Sequence, residues 1–186
     1  PKENGSVANT FESSVVTIDP AAASAAVAVT DESAVIKVGV RAADGTPAAA
    51  ALGLTFGSTE HRGDTFVARV RPDEWFVMGS ASAVGNAIGE LDLSGYASTV
   101  DVTYSRMMLR VTGTDAAKTM EKVCNLDFSD PMTPDGACAG ASVAKVGCDV
   151  IRDDVEGVRS YRILCDRSFG QYLYNALIDS AAEFNG

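Results

Sequence analysis

Apolar and polar positions change rhythm several times along the chain, and each change marks an element. "AVIKVGV" (34–40) alternates with the period of a strand. "DGTPAAAALG" (44–53) follows turn chemistry with a short small-residue helix, and "GLTFG" (53–57) is extended again. "DTFVARVRP" (64–72) and "EWFVMGS" (74–80) predict two strands around the Pro72-Asp73 corner, which suits proline's fixed φ. Ala83, Val84, Ala87, Ile88 and Leu91 then recur at helical spacing, with Ser80 or Ser82 as N-cap and Gly95 beyond the end. "STVDVT" (98–103) and "RMMLRVTG" (106–113) predict two more strands. A helix follows, with Thr114 at its N-cap, Asp115 against the N-terminal dipole, and Ala116, Met120, Val123 and Cys124 on its inner face.

After the loop "SDPMTPDGAC" (129–138), "ASVAKVGCDVIRDD" (141–154) and "GVRSYRILCD" (157–166) predict one long hairpin with its tip at Asp154–Gly157. The last helix starts at a Ser168 cap and carries the stripe Phe169, Tyr172, Leu173, Ala176, Leu177 and Phe184. Hairpins interleaved with helices predict an α+β fold, antiparallel sheets with helices packed on them. Residues 1–34, polar and then alanine-rich, are expected to be a mobile or partner-wrapping arm, and residues 35–186 a single domain.

Composition narrows the function. A net charge of −10 would repel a phosphate backbone, so no nucleic-acid partner is expected. There is no long apolar span and no basic-then-apolar leader, so no membrane partner is expected and the location is expected to be cytoplasmic. Cys124, Cys138, Cys148 and Cys165 form no Cys-x-x-Cys pair, and His61 is the only histidine. They are therefore expected to be buried small hydrophobes, with no metal site and an exposed, solvated His61 in "STEHRGD".

No glycine-rich dinucleotide loop, P-loop or nucleophile elbow is present. Asp153 and Asp154 are expected to be solvated carboxylates at a hairpin tip. Asp149, within the apolar "VGCDVI", is the one weak catalytic candidate. Strand alternation favours pointing it outward; the alternative is a buried carboxylate with a partner and a shifted pKa. Arg106 and Arg110 share a strand face with Met108 between them, which suits a joint anion clamp, a solvated face or a partner-facing rim. Trp75, the sole tryptophan, is expected to anchor the core or a subunit contact rather than stack on a ligand.

Several of these segments carry a family resemblance. Pro72-Asp73-Glu74-Trp75, "VTGTDA" (111–116), "CNLDF" (124–128), "PDGACA" (134–139) and "RSFGQYLYNAL" from Arg167 stand in the order found in the gamma subunit of heterotetrameric sarcosine oxidase, which residues 35–186 resemble. More distantly, "DVTYSRMMLRVTGTDA" resembles the N-terminal part of the glycine-cleavage T protein aminomethyltransferases, with Asp149 near their catalytic aspartate. The resemblance implies a folate-binding/aminomethyltransferase-like domain working as a non-catalytic structural subunit. It implies alpha, beta and delta subunits as partners, with FAD, FMN, NAD, zinc and tetrahydrofolate held by them and no cofactor in this chain. The alternative is a free-standing tetrahydrofolate-binding protein using Asp149.

Overall fold

The computed structural model describes residues 11–16 and 26–185. Ten strands form two five-stranded sheets among the described residues, and every pairing is antiparallel. The first sheet has the order β1-β7-β10-β9-β8: β1 (Ala28–Asp31), β7 (Arg106–Thr112), β10 (Ser160–Asp166), β9 (Val146–Arg152) and β8 (Cys138–Val143). The second runs β3-β4-β5-β2-β6: β3 (Thr59–Arg62), β4 (Thr65–Arg71), β5 (Glu74–Gly79), β2 (Ile36–Ala42) and β6 (Ala97–Asp101). Helices α1 (Pro47–Leu52) and α2 (Ala81–Gly89) belong to the second sheet's half of the chain, and α3 (Ala116–Val123) and α4 (Gly170–Ala181) to the first's.

Alternation along the strands sorts the side chains into three apolar layers. Met107, Leu109 and Val111 of β7 face one way and pack with Met120 of α3 and Leu173 and Leu177 of α4. The second sheet's outer face puts Val67, Trp75 and Val77 against Leu52 of α1 and Val84 of α2. Between the sheets, Phe66, Ala68, Phe76 and Met78 meet Met108, Ile151 and Leu164. The fold is thus helices, sheet, sheet, helices. Both sheets are covered on both faces, which is why β4, β5, β7, β9 and β10 read as almost unbroken apolar runs.

Local chemistry fixes the helix ends. Thr46 accepts from the Ala49 N–H, Pro47 opens α1 with its φ already helical, and Ser80 accepts from the Ala83 N–H to start α2. At α3 the cap is Asp115, not Thr114, and it makes no side-chain cap hydrogen bond; it is held instead by Lys118, 2.7 Å away. The last helix also starts differently. Asp166, not Ser168, accepts from the Ser168 N–H and initiates a single 3-10 turn ahead of Gly170. Gly113, between β7 and α3, needs its glycine: φ is +145° and a Cβ would collide with the Ala26 carbonyl.

Other boundaries also differ from the sequence pattern. The stretch 141–154 is not one strand: it takes in the end of β8, a tight turn with Ala144 and Lys145 at φ +47° and +70°, and β9. "STEHRGD" contains β3 rather than a loop, and "GLTFG" contains no strand. Ahead of the expected boundary at residue 35, β1 pairs with β7 from Ala28↔Thr112 to Asp31↔Leu109, and Val27 and Val29 are buried. Val15 is also in the core. The rest of the expected arm, residues 1–10 and 17–25, lies outside the described residues.

Candidate functional site

The layer between the sheets is apolar in the middle and ionic at both ends. β7 sets this arrangement, since Arg106, Met108 and Arg110 share its inward face. Met108 is fully buried among apolar neighbours, so the two arginines belong to separate clusters and do not clamp one ligand together.

The first cluster surrounds Asp149. Its register partners are Leu164 on β10 and Gly140 on β8, which turns the carboxylate into the interior rather than outward. The side chain is 2% exposed, with Nη2 of Arg71 3.2 Å from Oδ1. Neither oxygen receives a well-directed hydrogen bond. Burial raises the carboxyl pKa, and the charges of Arg71 and Arg106 oppose this only in part. Arg71 Nη1 also meets Glu74, 3.2 Å away, and Glu74 meets Arg41 at 3.4 Å. The cluster is therefore a chain, Arg41–Glu74–Arg71–Asp149, leading from solvent to a closed end. The Cys138 thiol beside it is pushed up to about 12, chiefly by burial and then by Asp149, so it is no nucleophile at neutral pH.

The second cluster is built on Asp153, which is buried at the end of β9 rather than solvated at the hairpin tip. Arg110 Nη2 donates to Oδ2 at 2.8 Å, Arg162 Nη2 lies 3.2 Å from the same oxygen, and His61 Nε2 is 2.7 Å from Oδ1. Arg110 also donates from Nε to Glu32 at 2.6 Å and from Nη1 to Ser160 Oγ at 2.7 Å. Burial works to raise the Asp153 pKa, but the hydrogen bonds from Arg110 and His61 and the Arg162 charge outweigh it. The carboxyl therefore sits below its ordinary range. Asp154, half-buried, is held by the guanidinium of Arg152 at 2.9 Å.

His61 is exposed but not free: it joins β3 to Asp153 and rests on Phe66, with ring centroids 4.6 Å apart. A His-Asp pair needs a nucleophile to do acyl chemistry. Ser160, the hydroxyl in this network, instead accepts from Arg110 and pairs with Thr112 at 2.8 Å. No group of three or more His, Cys, Asp or Glu suited to a metal occurs among the described residues. No described helix is long and apolar enough to cross a membrane.

Trp75 lies on the opposite face of the second sheet. Its ring is fully buried, Nε1 donates to the Gly53 carbonyl at 2.9 Å, and the Arg69 guanidinium sits 4.6 Å from the ring centroid. It touches neither ionic cluster; it closes the core beneath α1. Arg71, Glu74, Glu32 and Arg162 complete the two clusters. Arg71, Glu74 and Arg162 carry one sequence signal, a charge at an inward position of a strand, as in "SYRILC"; Glu32, just past β1, carries none.

The sequence profile of the sarcosine oxidase gamma subunit family matches residues 31–183. Among solved structures, the heterotetrameric sarcosine oxidase from Corynebacterium sp. U-96, in complex with pyrrole 2-carboxylate, has a chain with this fold. The TM-score is 0.73 at 23% identity, over 88% of this chain and 87% of that one. The glycine cleavage system aminomethyltransferase T from Bartonella henselae has a TM-score of 0.59 at 12% identity, over 83% of this chain. This chain spans about half of that protein, 46% of its length. At these identities the two likenesses are of fold. No curated protein sequence matches the chain.

Proposed function

Because the chain belongs to the sarcosine oxidase gamma subunit family, we propose that it is a structural, non-catalytic subunit of a heterotetrameric, flavin-dependent oxidase of sarcosine or another N-methyl amino acid. The observation that carries this reading is the family match from residue 31 to 183, which takes in both sheets almost whole. The two ionic clusters support the non-catalytic part. Asp149 is shut beneath Arg71, and Asp153 is saturated by Arg110, Arg162 and His61. Asp149 is closed off from solvent and Asp153 is fully engaged, so neither offers a free base to a substrate.

In this reading the alpha, beta and delta subunits hold FAD, FMN, NAD, zinc and tetrahydrofolate in a cytoplasmic assembly. The oxidation of the N-methylamine takes place on them. The partner-facing side of this chain draws on its exposed apolar residues, such as Tyr96 and Val100 beside edge strand β6 and Phe169 and Tyr172 at the start of α4.

Co-expression of the other three subunits with and without this chain tests the proposal. The expected result is loss of assembly and of sarcosine turnover without it, restored by Asp149→Asn as well as by the parent chain. Full assembly and unchanged turnover in its absence would remove the structural role. Assembly without turnover for Asp149→Asn would return Asp149 to the chemistry.

A further inference from the structure

Three sulfurs form a row across the outer face of the first sheet. Leu164 pairs with Asp149, so the next register step places Cys165 directly opposite Cys148. Cys165 in turn pairs with Met107 on β7, and Cys148 with Ala141 on β8. All four residues line the core beneath α3 and α4. Directly opposed residues of antiparallel strands have Cα atoms about 4.5 or 5.5 Å apart. Both spacings fall within the roughly 4.4–6.8 Å that a disulfide spans. The side chains of Cys148 and Cys165 point into the same apolar cluster and both are free thiols, each donating to a backbone carbonyl, Val146 for Cys148 and Asp166 for Cys165, both at 3.3 Å.

We infer that Cys148 and Cys165 form a redox modification site, a cross-strand thiol pair that hydrogen peroxide converts into a disulfide. The sulfur of Cys165 attacks one peroxide oxygen, the O–O bond breaks, and a sulfenic acid and water form. The sulfur of Cys148 then attacks the sulfenic sulfur, its proton leaves with the hydroxyl as a second water, and the S–S bond closes. Two thiols are oxidised by two electrons, one peroxide is reduced, and two waters are released.

The order of attack follows from the two environments. The neighbouring Cys165 and burial hold the proton on Cys148, whereas Cys148 and the Arg106 charge favour its loss from Cys165. Entry is from the β8 edge. β9 is the second strand in, the Ala141 partner of Cys148 on β8 is half-buried, and Cys148 itself is 6% exposed. Cys138 faces the layer between the sheets. Cys124 shares the outer core with the pair but sits past the end of α3, bridged to Val143. The bond would join two strands that are already neighbours, so it forms without rearranging the sheet.

The test is thiol counting on the full chain as purified. The protein is treated with hydrogen peroxide, quenched, denatured and alkylated, and its mass and peptides are read. The expected result is loss of two of the four alkylatable thiols, a peptide linking 148 to 165, and full recovery with dithiothreitol. Cys165→Ala should keep its three remaining thiols at the dose that oxidises the parent. Four surviving thiols in the parent, a pair involving Cys124 or Cys138, or oxidation that dithiothreitol does not reverse would each overturn the inference. Peptide mapping of the parent decides the matter even if the variant does not fold.

Discussion

Arg71 Nη2 stands 3.2 Å from Asp149 Oδ1, and yet the carboxylate, 2% exposed, gets no well-directed hydrogen bond from it. Attraction without a hydrogen bond is a poor return for taking a carboxylate out of water, so burial dominates and the folded-state pKa rises above 3.8. A raised carboxyl pKa gives stability that is complete below 3.8 and is lost as pH rises through the folded value. Asp149→Asn should therefore be more stable than the parent at neutral pH, with the difference shrinking toward pH 4. Urea unfolding of both proteins across that range checks it; a variant less stable at pH 7 contradicts it. Arg71→Met should cost roughly 1–2 kcal/mol, below the ~3–5 of a fully buried pair because Arg71 is 41% exposed.

Asp153 should behave in the opposite way. Its pKa is depressed, so its contribution is present above 3.8 and disappears as pH falls through the lower folded value. Asp153→Ala leaves Arg110 and Arg162 buried without their shared partner, at a cost of about 3–5 kcal/mol at neutral pH. Acid unfolding should start with this cluster. The measurement is the gap in unfolding free energy between variant and parent, which should narrow below pH 3.8.

Lys37 is fully buried between the sheets, with Nζ donating to the Ser33 and Val35 carbonyls at 2.8 and 2.7 Å. Burial, partly offset by Asp31 and Asp101, lowers its pKa from 10.5 to about 8. The unfolded chain binds the extra proton between those values, so parent stability should rise relative to Lys37→Met from pH 8 to 10.5, by roughly 3 kcal/mol at most. A flat difference over that window contradicts it.

Trp75→Ala should lower stability by about 3–5 kcal/mol, since it empties the space beneath α1 and strands the Gly53 carbonyl. Thermal unfolding of the variant checks this. An unchanged melting curve combined with lost turnover in the complex would instead make the ring part of a ligand site.

The helices and central strands were legible because they are buried on both faces or along one stripe, and burial writes itself as apolar periodicity. β1, β3 and β8 were not recognised as separate strands, and all three are sheet edges. An edge strand has one neighbour and packs little: Glu60 and His61 of β3 and Ala139, Gly140 and Ser142 of β8 are exposed, so nothing selects alternation there. The β8–β9 turn was hidden for a different reason. Ala144 and Lys145 take the positive φ that usually announces itself as Asn-Gly. Trp75 could be placed from its Pro-Asp-Glu corner and the strand after it. Asp149 and Asp153 could not, because their burial depends on Arg71, Arg110 and Arg162, which come from distant strands.

That this chain is a subunit of a flavin oxidase can be checked by purifying it under a tag from its native cell and recording native mass and absorbance. The expected result is a complex with three other chains and flavin bands in the visible spectrum. A colourless protein running alone near 19.3 kDa would contradict it.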